Sequence, residues 1–228
     1  MTKNWTPLFL VGAAAPLKTQ TGKVGFIGGV ENDLIKKFEA GYVAGAQAVN
    51  PDAQVRVVWT KTWYDPATEK EAAKSLLDVG ADVIAQHQDS PGPQEAAQEK
   101  GVYSIGYNSD MSAFAPKSHL CAPVWNWGPY YKEVVDAVRN GTFEPKPVWY
   151  GMEHGIVDLS PMSDMVPGDV QKAVLAKKEA ITSGQMQVFT GPVKDQTGAV
   201  RIPDGKIPED GELLGMDYFV QGVIGTTE

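Results

Sequence analysis

Four short apolar runs, each leading into a helix-forming stretch, restrict this chain to very few architectures. Lys23 to Gly28 (KVGFIG), Val55 to Trp59, Ala81 to Ala85 and Val102 to Tyr107 read as strands. The first is followed by a stretch from about Asn32 to Val49, where Leu34, Ile35, Phe38, Tyr42, Ala46 and Val49 form one apolar stripe. The second leads into a helix opened by Asp65-Pro66 and stopped at Gly80. Asp65 can cap free helix N–H groups, and Pro66 fits a first turn. Pro93 to Lys100 is a short third helix, and His119 to Val124 is expected to be a fifth strand. Strands that are almost wholly apolar are covered by helices on both faces, so the expected fold is α/β with a parallel sheet. Right-handed crossovers then bring every strand-to-helix loop to one edge of the sheet.

After Trp125 the alternation stops. A helix is expected from Gly128 to Arg139, short strands near Val148 to Met152 and Gly155 to Leu159, and a long amphipathic helix from Pro167 to Ser183. A hairpin is expected in VKDQTGAVRIPDG. Near the start, Leu8 to Ala15 has the length of a signal-peptide core, but Lys3 is the only preceding basic residue and Pro16 disfavours cleavage. A helix packed on the domain is the expectation. No segment reaches the roughly 18 apolar residues that span a membrane.

Open parallel sheets bind ligands beyond the carboxyl ends of their strands. Here those ends carry Gly28-Gly29-Val30-Glu31-Asn32, Lys61-Thr62-Trp63-Tyr64-Asp65, His87-Gln88-Asp89-Ser90, Asn108-Ser109-Asp110 and Trp125-Asn126-Trp127. This edge offers flat rings, neutral hydrogen-bonders, a few carboxylates and one lysine. The glycines fit neither G-x-G-x-x-G nor a P-loop, so no dinucleotide or NTP site is expected. No HExxH or Cys pair suggests a metal, and no cofactor is expected. Ser90, His87 and Asp89 lie too close along one loop for a triad. The single cysteine, Cys121, sits on an apolar run and reads as core. A net charge of −8 argues against nucleic acid or an anionic membrane as partner. Trp63, Trp125 and Trp127 are candidate stacking faces for a planar ligand, whereas Trp59 and Trp149 read as core.

Longer motifs carry a resemblance. KVGFIGGVENDLIKKFEAGYVAGAQAVNPDAQV, TWYDPATEKEAAKSLLDVGADVIAQHQDSPGPQEAAQEKGVYSIGYNSDM, WNWGPYYKEVVDAVRNGTF, FTGPVKDQTGAV and DGELLGMDYFVQGVIG resemble the basic membrane protein, or PnrA-like, family. These are substrate-binding proteins of ABC importers for purine nucleosides and related ligands, and the WYDP and AQHQDSP pattern is similar to an adenine-associated branch. The resemblance implies a type I periplasmic-binding-protein fold of two Rossmann-like lobes. Residues 23–124 would be one complete lobe, 1–22 the end of the first lobe, and 125–228 segments returning to it, so the second wall would be incomplete. It implies that Trp63 stacks on the ligand and that Asp110, in G-x-x-S-D, accepts a hydrogen bond. His87, Gln88, Asp89, Asn126, Trp127 and Glu31 would line the same cleft. A purine base or nucleoside and an importer permease are the implied partners, with homodimerisation a way to replace a missing wall. A periplasmic or membrane-anchored extracytoplasmic place is implied, although without a convincing signal peptide a cytoplasmic fragment stays open. Two other classes also stay open: an enzyme acting on a purine nucleoside through Asp89 or His87, and a cytosolic sensor derived from a binding protein.

Overall fold

The computed structural model describes residues 2–15 and 18–225. Pro16, which argued against cleavage, lies outside the described residues. In chain order the elements are α1 (Trp5–Ala14), β1 (Lys23–Gly28), α2 (Asp33–Gln47), β2 (Gln54–Trp59), α3 (Pro66–Asp78), β3 (Val83–His87), α4 (Gly92–Lys100), β4 (Tyr103–Ile105) and β5 (His119–Cys121). There follow β6 (Pro123–Trp125), α5 (Gly128–Arg139), β7 (Val157–Leu159), α6 (Gly168–Thr182), β8 (Val193–Lys194), β9 (Val200–Ile202), α7 (Asp210–Leu214) and β10 (Val223–Ile224). Six of the strands form one sheet in the order β10-β2-β1-β3-β4-β5, and every pair in it is parallel.

The expected alternation therefore holds, with local differences that have physical causes. β3 runs on to His87 rather than stopping at Ala85, and one nitrogen each of Gln86 and His87 finds a partner inside the fold. Gln86 Nε2 donates to Gln94 Oε1 (2.9 Å) and to the Ser90 carbonyl (3.2 Å). The expected strand at 119–124 is two strands, since Pro123 has no N–H to continue a ladder. The second of them, β6, leaves the main sheet and pairs antiparallel with β7. The strand expected at 148–152 is absent. Tyr150 makes only a bridge to Thr2, and Met152–His154 is a 3-10 turn. β10, unforeseen, covers the outer edge of β2 and removes an open strand edge there.

Local chemistry explains the helix starts. Asn32 Oδ1 accepts from the Ile35 N–H at the head of α2, and Asp65 accepts from the Ala67 and Thr68 N–H groups at the head of α3. α1 is buried along its whole length and lies against α2. Small residues make that approach possible. A Cβ placed on Gly45 would sit 1.9 Å from the Phe9 carbonyl oxygen, and one on Gly12 would sit 2.1 Å from that of Tyr42. The two backbones touch, so a Gly45→Val variant is expected to lose about 3 kcal/mol of stability, which a thermal melt would register as a fall on the order of 10 °C. An unchanged midpoint would show that the helices are not in backbone contact.

Cys121 is a free, buried thiol, and burial pushes its pKa up to about 12, so it packs as core. The core also contains ionisable side chains, among them Lys37, Glu39 and Glu69. Lys37 on α2 is fully enclosed, with its ammonium 5.3 Å from the Trp5 ring centre and 5.0 Å from that of Trp149.

Candidate functional site

The sheet's carboxyl edge is shaped first by two glycines. A Cβ on Gly28 would strike the Trp59 ring at 2.2 Å, so β1 and β2 can end side by side only with glycine there. A Cβ on Gly29 would lie 3.0 Å from the Thr62 carbonyl and 3.2 Å from the Trp63 ring. The loop after β2 thus folds down over the end of β1 and sets Trp63 above it. The loop after β3 is tied to this one. The Asp89 N–H donates to the Trp63 carbonyl (3.3 Å), and Gln88 Nε2 donates to Thr60 Oγ1 (2.7 Å). Buried Glu69 completes the bracing, accepting from the Asp65 N–H (2.8 Å) and from the Ser90 hydroxyl. The WYDP and AQHQDSP segments are therefore one mechanical unit.

These loops form one side of an open cavity of about 410 Å³, lined by Thr2, Leu34, Phe38, Trp63, His87, Asp89, Tyr107, Asn108, Trp125 and Trp127. That size suits a small heterocycle, and rings supply most of the wall. His87 is their hub. Its ring centre lies 4.3 Å from that of Tyr107, 5.6 Å from Phe38 and 6.1 Å from Trp63. Trp125 extends the wall edge-on to Tyr107 at 6.1 Å, and Trp127 follows at 5.7 Å. Burial lowers the His87 pKa to about 4 and raises that of the Tyr107 phenol. The Tyr107 hydroxyl and His87 Nε2 are 2.7 Å apart. At neutral pH this imidazole is uncharged and one of its nitrogens is engaged, which suits a wall and disfavours a proton shuttle. Two non-glycine residues at this edge, Lys61 (φ 59°) and Asn108 (φ 66°), adopt left-handed backbone. Such strain concentrates where a loop must present a side chain in a set place.

Of the residues expected at the site, Trp63, His87, Asp89 and Trp127 are brought together in the lining. The other four are not. Gln88 is buried and braces the β2 loop through Thr60. Glu31 forms an ion pair with Lys36 (2.8 Å) at the head of α2. Asp110 turns back on its own loop, accepting from the Ser112 N–H (2.9 Å), and stands 3.5 Å from His119 Nε2. That backbone hydrogen bond holds its carboxyl below the usual range. Asn126 is exposed, and its N–H bonds the Ile156 carbonyl (2.8 Å). The lining adds Leu34 and Phe38, which the helix pattern assigned to the core face, together with Tyr107, Asn108 and Thr2. Their signal was positional, since all except Thr2 stand just beyond or opposite a strand's carboxyl end. Among the described residues no group of three or more His, Cys, Asp or Glu could hold a metal ion. A larger groove, about 540 Å³, runs along α5 between Tyr130, Val134 and Phe143, away from the strand ends.

Residues 3–190 match the family model described as ABC transporter substrate-binding protein PnrA-like. A purine-binding protein of Brucella abortus is 39% identical over 215 residues, which is 94% of this chain and 61% of the relative. A putative ABC transporter glucose-binding protein of Haloferax volcanii is 34% identical over 227 residues, 99% of this chain and 55% of the relative. Among solved structures, an ABC transporter solute-binding protein from Conexibacter woesei superposes with a TM-score of 0.69 at 28% identity, covering 82% of this chain and 63% of that one. The chain thus spans between half and two thirds of the length of these relatives.

Proposed function

Because the chain belongs to the PnrA-like family of ABC transporter substrate-binding proteins, we propose that it holds a purine base or nucleoside in the aromatic cavity and passes it unchanged to an importer permease. The observation that carries this is the ring wall around His87 at the carboxyl edge of the sheet: Phe38, Trp63, Tyr107, Trp125 and Trp127. A planar base gains roughly 1–3 kcal/mol per stacked aromatic. Trp63, half exposed and standing over Gly29, is the face on which the base stacks. Asp89 and Asn108 orient it through its polar edge. The name of the Brucella relative supports a purine, and the WYDP and AQHQDSP segments support an adenine-type ligand. An importer component works outside the cytoplasm, and no helix of the described residues is long and apolar enough to cross a membrane.

The ligand leaves as it came. His87, the one imidazole in the cavity lining, is neutral at physiological pH, and the Tyr107 hydroxyl paired with its Nε2 is kept protonated by burial and so is a poor nucleophile. The name of the Haloferax relative marks glucose as the rival ligand, since a sugar can also lie flat on an indole. Calorimetric titration with adenine, adenosine, guanosine and glucose separates these readings. Saturable binding of a purine, with adenosine recovered intact, is the expected result. Binding of glucose alone, or release of free base from adenosine, would overturn the proposal.

A further inference from the structure

The helix α5 is amphipathic, yet it covers nothing. Gly128–Arg139 is 12 residues long, and none of them is buried. A helix of that length is marginal in water unless an apolar face is packed against something. Such a face is present. Taken in order around the helix, Ala137, Tyr130, Val134, Val138, Tyr131 and Val135 form one apolar band. Tyr131 is 62% exposed and Val138 58%. The two borders of the band differ in charge. Glu133 stands on one side, and Lys132 and Arg139 stand on the other. Lys132 also pairs with Asp136 (2.5 Å), but both are exposed, so that pair is weak and leaves the lysine open to a second carboxylate.

The band runs into the ligand cavity. Trp127 belongs to the cavity lining and immediately precedes α5. Its ring stacks on that of Tyr131 (6.4 Å between centres, 23° between planes) and stands edge-on to Tyr130 at 6.4 Å. The ring wall around His87 and the outer face of α5 are therefore one continuous aromatic surface, and the cavity at its end is open.

We propose that the outer face of α5 is the contact between two copies of this chain, and that each copy closes the open side of the other's cavity. Charge selects this occupant. An acid on one border and bases on the other make the band complementary to itself: a two-fold axis running along α5 sets Lys132 of each copy against Glu133 of the other. The contact stands on the helix alone, whereas its coupling to ligand rests on the purine reading above. A ligand closed in by two copies favours their association, and association favours the ligand by the same factor.

The test is sedimentation velocity of wild type, Val138→Asp, Lys132→Glu and the double variant Lys132→Glu/Glu133→Lys, over about 1 to 100 μM with and without adenine. Wild type is expected to dimerise, with a dissociation constant that falls at least about fivefold in saturating adenine. Val138→Asp changes an exposed side chain outside the cavity lining. It and Lys132→Glu are each expected to weaken self-association at least about tenfold, and the double variant to return within about threefold of wild type. Titrated at a concentration where wild type is dimeric, Val138→Asp is expected to bind adenine at least about threefold more weakly. Wild type that stays monomeric throughout, or a Val138→Asp dimer as tight as wild type, would overturn the contact. A dimer that binds adenine and is not tightened by it would overturn the closure of the cavity. A dimer that both single variants break but that binds no adenine would overturn the purine reading and leave the contact standing.

Discussion

Replacing Trp63 with alanine is expected to weaken adenine binding by at least about tenfold, or roughly 1.4 kcal/mol, with little change in the melting midpoint. The two halves of that expectation have separate origins. The indole keeps 48% of its surface exposed and belongs to no buried cluster, so the core does not depend on it. Its backbone carbonyl, which receives the Asp89 N–H, survives the substitution and keeps the two loops joined. Only the stacking face is lost. Isothermal titration beside a thermal melt checks both halves. Unchanged affinity would remove Trp63 from the site, while a large fall in the midpoint would make it a structural residue.

The second large effect concerns stability. Lys37 is enclosed, and burial lowers its pKa from the ordinary 10.5 to about 8, against the opposing pull of Asp33 and Asp210. The faces of Trp5 and Trp149 favour its charged form, but burial outweighs them. The sign follows from proton counting. Below pH 8 the folded and unfolded chains both carry this proton, so the full cost of burying the charge is present. Between pH 8 and 10.5 the folded chain gives it up while the unfolded chain keeps it, so stability rises with pH. The total contribution is up to about 3 kcal/mol. Lys37→Met is therefore expected to stabilise the protein at pH 7 by as much as about 3 kcal/mol and to flatten the alkaline slope. Denaturant unfolding of both proteins across pH 7 to 10 measures this. Destabilisation by Lys37→Met would mean that the aromatic faces and the two aspartates outweigh burial. Glu39, also fully buried, has its pKa raised well above the usual carboxylate value by burial and acts in the opposite sense. It stays protonated in the folded chain, so stability falls as pH rises through the ordinary carboxylate range.

Those two buried ionisable groups show what the amino-acid pattern conveys and what it hides. The parallel sheet was legible because short apolar strands alternate with helices that announce their own starts, as at Asn32 and Asp65. The tip of β3 was less so. Gln86 and His87 look like loop residues until Gln94, on the next helix, and Tyr107, twenty residues on, are seen to pair with one nitrogen of each. β10 was hidden because a two-residue strand has no periodicity to detect; it exists because β2 had an edge to cover. At the site, the rings and His87 were legible as polar and aromatic tips on apolar runs. The choice among carboxylates and amides within one tip was not. Asp110 and Asn108 are two residues apart, and only the Ser112 N–H claiming Asp110, together with the left-handed turn at Asn108, decides which one faces the cavity. Glu31 was lost in the same way, to Lys36 in the first turns of α2.

The central claim is that a purine lies flat in the ring-lined cavity at the carboxyl edge of the sheet. A crystal structure of the chain grown with adenine tests it most directly. The account predicts ring density parallel to the Trp63 indole, bounded by Phe38, His87 and Tyr107, with a polar edge toward Asp89 and Asn108. Adenine bound in the groove along α5, or bound to the protein with this cavity empty of it, would contradict the account.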